Sequence, residues 1–381
     1  MALDDVLLSD DDRDVRHLVR AIAEAEIAPR AQEVDATGLF PHHAMKKLAE
    51  TGLLGILIPP EFGGSGGSKL QYVLAVEEVA KACAATALTY MTQAHGAVPI
   101  LIAGTEAQKL RWLPRIVAGD SLAAIALTEP HAGSDLASIA LRAERHGSDY
   151  HLSGQKIFIT NGGVADLMTV LVRTSEGRGG LTALEIDGRP VGLVAGSPLK
   201  KMGVRGSNTV ELFFDDVVVP GDGLLGGEGQ GFRIALETLD LARLSTAAQA
   251  LGIADRALRT AVAYARQRRQ FGQPIGRFQA VQFKLVDMHA RVATARQLLY
   301  SVARWADTGE PFGSDAALAK VVCSDTAMAV TTEAVQIHGG YGYIEEYEVE
   351  RLMRDAKVTQ IYDGTNEINR LVIARALLVE G

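Results

Sequence analysis

The sequence predicts an α+β multidomain chain: a helical N-terminal unit, a central β unit and a C-terminal helical bundle. Apolar residues recur at helical spacing up to about Ala118, the period shortens to that of strands between about Ser121 and Gly227, and helical spacing returns from Gly231. With 381 residues, 48% of them hydrophobic, the chain is too long for one compact core and suits two or three packed units. The expected domains are 1–120, 121–228 and 229–381.

In the first unit the helical period is carried by Val15, Leu18, Val19 and Ile22, and then by Met45, Leu48 and Leu53. Ile58-Pro59-Pro60 and Gly63 to Gly67 cannot continue a helix and read as a surface loop. Ala84 to Ala103 is broken by Gln93, His95, Gly96 and Pro99, so it reads as a buried helix rather than a membrane span.

The β unit is expected from Tyr150 to Leu152, Lys156 to Thr160, Met168 to Val172, Leu181 to Ile186 and Val210 to Phe214. Short strands with Gly and Asn turns and no helix between them indicate an antiparallel barrel or sandwich. Long helical patterns then cover Phe232 to Arg268, Gln279 to Ala306, Ser314 to Ile337 and about Glu367 to Leu378, which pack as a bundle.

A net charge of -8 argues against nucleic acid, and the basic run Arg266 to Arg269 reads equally as a solvated helix face or an anion site. Cys83 and Cys323 show neither disulfide nor zinc spacing, and no metal site is expected. The acidic opening MALDDVLLSDDDRD lacks the features of a targeting segment, so a cytoplasmic protein is expected. No GxGxxG follows a strand, which excludes a doubly wound nucleotide fold.

Four segments carry candidate chemistry. Ala126 to Asp135 is a loop of small residues, hydroxyls and carboxylates suited to a flat polar ring or a phosphate, and equally an ordinary Pro/Gly turn. Phe158-Ile159-Thr160-Asn161-Gly162 ends a strand and reads first as a hairpin turn. Gln336 to Gly342 ends a helix on glycines, with His338 packed rather than ligating. Gln360 to Glu367 precedes the last helix, where Asp363, Thr365 and Asn366 each suit an N-cap.

In this order, over nearly the whole chain, these segments resemble the acyl-CoA dehydrogenase family. Further matching pieces are Pro59 to Gly64, Gly203 to Thr209, Arg268 to Gly272 and Glu350 to Lys357. The resemblance implies a C-terminal four-helix bundle, a homotetramer built as a dimer of dimers, and a soluble protein of fatty acid metabolism with no membrane span. It also implies FAD as cofactor, with its ring near Ile125, Leu127, Thr128, Gly133, Ser134, Phe158, Ile159 and Thr160. A neighbouring subunit would hold the far end of FAD through Arg268, Gln270, Phe271, Gln279, Gln336, Ile337, Gly339 and Gly340, with Thr365 and Glu367 also assigned to the cofactor. An acyl-CoA would meet Ser134, Asp240, Arg243, Tyr362 and Gly364, its tail running toward Met91.

The reaction so implied is α,β-dehydrogenation to the trans-2-enoyl-CoA: a base takes the α-proton, the β-hydride passes to the flavin N5, and electrons leave to an electron-transfer flavoprotein. The family's usual base is a Glu in Tyr-Glu-Gly-Thr, whereas this chain has Asp363 in Tyr362-Asp363-Gly364-Thr365. The other position used in the family corresponds to Ala242, which cannot serve. The shorter arm withdraws the carboxylate by roughly 1 Å, enough to cost about a hundredfold in rate if the loop does not compensate. Asp363 points to a branched or alicyclic substrate, or to a loop rebuilt around an ordinary short- or medium-chain acyl-CoA. A flavin monooxygenase on the same fold, a binding protein that keeps FAD for structure, and an acyl carrier protein thioester in place of CoA are the alternatives.

Overall fold

A computed structural model describes residues 8–378; the opening residues read above for targeting signals lie partly outside that range. The N-terminal helices are α1 (Asp10–Ile22), α2 (Ala31–Thr37), α3 (His42–Glu50), α4 (Lys69–Ala82), α5 (Ala84–Ala103) and α6 (Glu106–Ala118). Ser9, Ser68 and Thr105 start α1, α4 and α6 with reciprocal capping boxes. The apolar run of α5 is a helix buried from Ala84 to Ile100, as its length and interruptions required. No helix among the described residues is long and apolar enough to cross a membrane.

The glycine segment after Pro60 lies at the surface, with Gly63, Ser65 and Gly66 exposed, and Gly64 is its most tightly placed residue: a Cβ on it would lie 2.0 Å from the Ile58 carbonyl oxygen. Leu18 is 46% exposed, and its place on the buried face of α1 is taken by Arg16, whose Nε donates to Glu78 at 3.0 Å. That pair belongs to an ionic cluster in which the Arg296 guanidinium and the Tyr300 hydroxyl donate to Glu77 and Lys81 bridges Glu77 to Asp255. Burial alone would raise the Glu77 carboxyl, but Arg296, Lys81 and Arg16 together hold it well below the usual range. The cluster ties the first domain to the bundle.

The central sheet contains β1 (Ala123–Ala126), β2 (Arg142–His146), β3 (Asp149–Thr160), β4 (Leu167–Arg173), β5 (Leu181–Asp187), β6 (Leu193–Ala195), β7 (Thr209–Val219) and β8 (Leu224–Leu225). Their order is β6-β7-β3-β2-β4-β5-β8, with β1 added parallel to β4. The two runs expected around Tyr150 and Lys156 form one twelve-residue strand whose ladder to β7 shifts register twice. Asn161-Gly162 therefore closes no β3–β4 hairpin; the Asn161 amide instead donates to the carbonyls of Ala123 and Thr89.

The C-terminal half consists of α7 (Gly231–Gln267), α8 (Gln279–Asp307), α9 (Gly313–His338), α10 (Val349–Val358) and α11 (Asn366–Leu378), with a small β9–β10 ribbon at Arg269–Gln270 and Gln273–Pro274. Alanines of α7 and α9, such as Ala247, Ala254, Ala319 and Ala327, are fully buried and let these long helices lie close together.

Candidate active site

Three groups of predicted residues are assembled by this fold. The first is the loop after β1. Glu129 is buried beneath it and accepts the N–H groups of Ala140 and Leu141 at 2.7 and 2.8 Å. The Lys156 ammonium, wholly buried, donates to Glu129 and to the Leu127 carbonyl, and Ile157 N–H donates to the Thr128 carbonyl. Burial pushes the Lys156 ammonium down to about 8 against the pull of Glu129. Leu127 and Thr128 are thereby fixed against Lys156 and Ile157, the residues just before Phe158 on β3, while Gly133 and Ser134 lie exposed on the same loop. The β3 irregularity turns Phe158 outward at φ 61°, leaving this large ring 62% exposed. A bulky residue held in left-handed backbone and bared to solvent is a contact surface in waiting. Ile159 is buried in the sheet, so it can offer only backbone to a ligand, and Ile125 is half-buried on β1.

The second group surrounds a cavity of about 440 Å³ lined by Arg268, Gln270, Ile337, Gly339 and Gly340 together with Tyr264, His338 and Tyr341. The Arg268 guanidinium lies 5.3 Å above the Tyr341 ring, and His338 stacks on Tyr264 while its Nδ1 donates to the Ala334 carbonyl. Phe271, 92% exposed at φ 50°, Gln279 and Gln336 stand outside this lining, exposed.

The third group is the loop before α11. Asp363 sits at φ 53° and its Oδ2 accepts a hydrogen bond of 2.6 Å from Thr246 on α7; Oδ1 has no partner among the described residues. Thr365 caps α11 by accepting the Ile368 N–H, and Glu367 is exposed in its first turn. The buried Lys320 ammonium of α9 donates to the Gly364 carbonyl at 2.8 Å and to Asn366 at 2.9 Å. Tyr362 donates to Gln249. One turn before Thr246 on α7, Arg243 pairs with Asp240 at 2.6 Å, yet its buried Nε has no hydrogen-bond partner among the described residues. Such an orphaned donor suits a carbonyl or phosphate oxygen of a ligand.

Thr246, Lys320 and Lys156, which bond to the candidate loops, were not singled out in the sequence, and Glu129 was read only as one carboxylate of the Ala126 to Asp135 loop. The first three stand in runs with no motif of their own and gain meaning only from a partner far along the chain.

Acyl-CoA dehydrogenase N-terminal, middle and C-terminal domain models match residues 9–120, 124–217 and 229–378. An acyl-CoA dehydrogenase of Bacillus subtilis is 46% identical over 367 residues, 96% of this chain and 97% of the relative. The solved butyryl-CoA dehydrogenase of Megasphaera elsdenii is 47% identical with a TM-score of 0.95, covering 97% of this chain and 99% of its own. A chain in the structure of the electron transferring flavoprotein of Acidaminococcus fermentans is 43% identical, with a TM-score of 0.97 and full coverage of both chains. This chain belongs to the acyl-CoA dehydrogenase family.

Proposed function

We propose that this enzyme oxidises a short acyl-CoA thioester across its α and β carbons, with Asp363 as the base. The observation that carries the proposal is the Asp363 carboxylate, held at one oxygen by Thr246 and free at the other. A base in that state is oriented without being occupied, and one with a short arm needs such orientation most. The Lys320 ammonium fixes the loop on the other side through the Gly364 carbonyl, so both ends of the Asp363-Gly364 unit are anchored to bundle helices.

FAD is the cofactor, and when bound it supplies the acceptor for the β-hydride. The residues present fit it: the exposed Phe158 ring and the loop from Leu127 to Ser134 offer a flat face and backbone donors, and Arg268 with Gly339 and Gly340 offers a cation and open backbone to a pyrophosphate. Those two sets complete one cofactor site across a subunit boundary, which needs at least a dimer, and the family resemblance extends this to a homotetramer arranged as a dimer of dimers. The exposed Phe271, Phe283, Val286 and Tyr343 supply apolar surface for that assembly.

Asp240, Arg243 and Ser134 hold the CoA end, with the buried Arg243 Nε, unpaired among the described residues, as a donor. Electrons leave to an electron-transfer flavoprotein in the cytoplasm. Anaerobic titration with acyl-CoAs of graded length tests the proposal: a short one should bleach the bound flavin, and absence of bleaching with every thioester would refute it.

A further inference from the structure

Beside Asp363 the hydrophobic core of the bundle carries a group of buried polar side chains. Tyr72 from α4, His95 from α5, and Ser245 and Thr246 from α7 converge there, each at least nine-tenths buried. The Asp363 charge reaches both the Tyr72 hydroxyl and the His95 ring. Thr246 spends its proton on Asp363.

Their hydrogen bonds leave two positions unfilled. With its one proton on the Ala242 carbonyl at 2.9 Å, Ser245 accepts at its 2.9 Å contact with His95 Nε2. In that arrangement His95 carries its proton on Nε2, burial favours the neutral ring, and Nδ1 makes no hydrogen bond among the described residues. The Tyr72 hydroxyl, wholly buried, also lacks a partner in hydrogen-bond geometry among the described residues, although Ser245 stands near enough to hold its pKa down somewhat against burial. A polar cluster that existed only to stabilise the core would close on itself, because an unmade buried hydrogen bond costs about 1–3 kcal/mol.

Building on the dehydrogenase reading above, we propose that the acyl group oxidised here carries a hydroxyl close to the reacting carbons, whose proton is donated to His95 Nδ1 and whose oxygen accepts from the Tyr72 hydroxyl. The α carbon gives its proton to Asp363 and the β carbon gives a hydride, and a hydroxyl on the β carbon would leave an enol. The hydroxyl therefore belongs on the carbon beyond, where it is retained in the enoyl product.

The test compares 4-hydroxybutyryl-CoA with pentanoyl-CoA, which replaces the hydroxyl by a methyl at equal length. Anaerobic flavin reduction by the wild-type holoenzyme should favour the hydroxyacyl thioester in kcat/KM by about tenfold or more, since a site built to bond a hydroxyl rejects its apolar mimic. In His95→Leu and in Tyr72→Phe that ratio should collapse toward one or invert. The ratio is read within each variant, so it does not depend on how much of the variant folds. A wild-type ratio of one or less, or a preference that survives both substitutions, overturns the inference. Bleaching by pentanoyl-CoA alone overturns it while the dehydrogenase reading stands; no bleaching by any thioester overturns both.

Discussion

The Thr246 hydroxyl donates to Asp363 Oδ2 at 2.6 Å across 117 residues of chain, joining the longest bundle helix to the loop before the last one. This bond restrains a short side chain whose other oxygen is left for chemistry. Thr246→Val keeps the volume and removes the donor, so single-turnover flavin reduction should slow about ten- to a hundredfold with little change in acyl-CoA binding. Thr246→Ser should recover most of the rate. Equal losses in Val and Ser would show that packing, and not the hydrogen bond, matters at this position.

Lys320 holds the opposite side of the loop. Lys320→Met leaves the Gly364 carbonyl and the Asn366 side chain short of a donor, which should cost about 1–3 kcal/mol of stability and reduce the flavin reduction rate together. Thermal melts and stopped-flow traces of the same preparation check this. A variant as stable and as fast as wild type would remove Lys320 from the account.

Glu185, buried on β5 and bonded by Thr169 of β4, gives a pH-dependent prediction. Burial pushes its carboxyl up to about 8, whereas in the unfolded chain it ionises near about 4.3. The folded state therefore binds the extra proton between those values, and this group lowers stability as pH rises through that window. Glu185→Gln should match wild type near pH 5 and exceed its apparent melting temperature by about 2 °C or more at pH 8. A constant difference across that range would contradict the assignment.

Arg268 lines the glycine-edged cavity assigned to the far end of FAD. Arg268→Ala should lower the FAD content and weaken the oligomer in parallel, measured by absorbance ratio and light scattering. A FAD-saturated monomer would contradict the shared site.

Much of the fold was legible because periodicity reports burial directly. The long helices α7, α8 and α9 begin and end within a residue or two of the positions their apolar patterns mark. What failed was local grammar overridden by distant partners. Asn161-Gly162 has the composition of a hairpin, but its side chain is bonded to α5 and β1, and β3 pairs with β2 and β7 instead. Leu18 fits a helical stripe, yet the buried ion cluster claims that face for Arg16. Helix α10 went unread because Glu350 to Lys357 is strongly charged, and its inward residues, Leu352, Asp355 and Ala356, include a carboxyl that accepts the Val204 N–H. The candidate site shows the same division. Asp363 and the glycine segments stand out as strings, while Thr246 and Lys320 look like ordinary helix residues until the chain is folded.

The central claim is that Asp363 takes the α-proton. Anaerobic stopped-flow reduction of Asp363→Asn by its best acyl-CoA tests it most directly, because the near-isosteric amide retains the loop backbone and leaves binding measurable. The variant should hold FAD and bind the thioester normally while flavin reduction falls about a thousandfold or more. Reduction at close to the wild-type rate would place the base elsewhere and contradict the account.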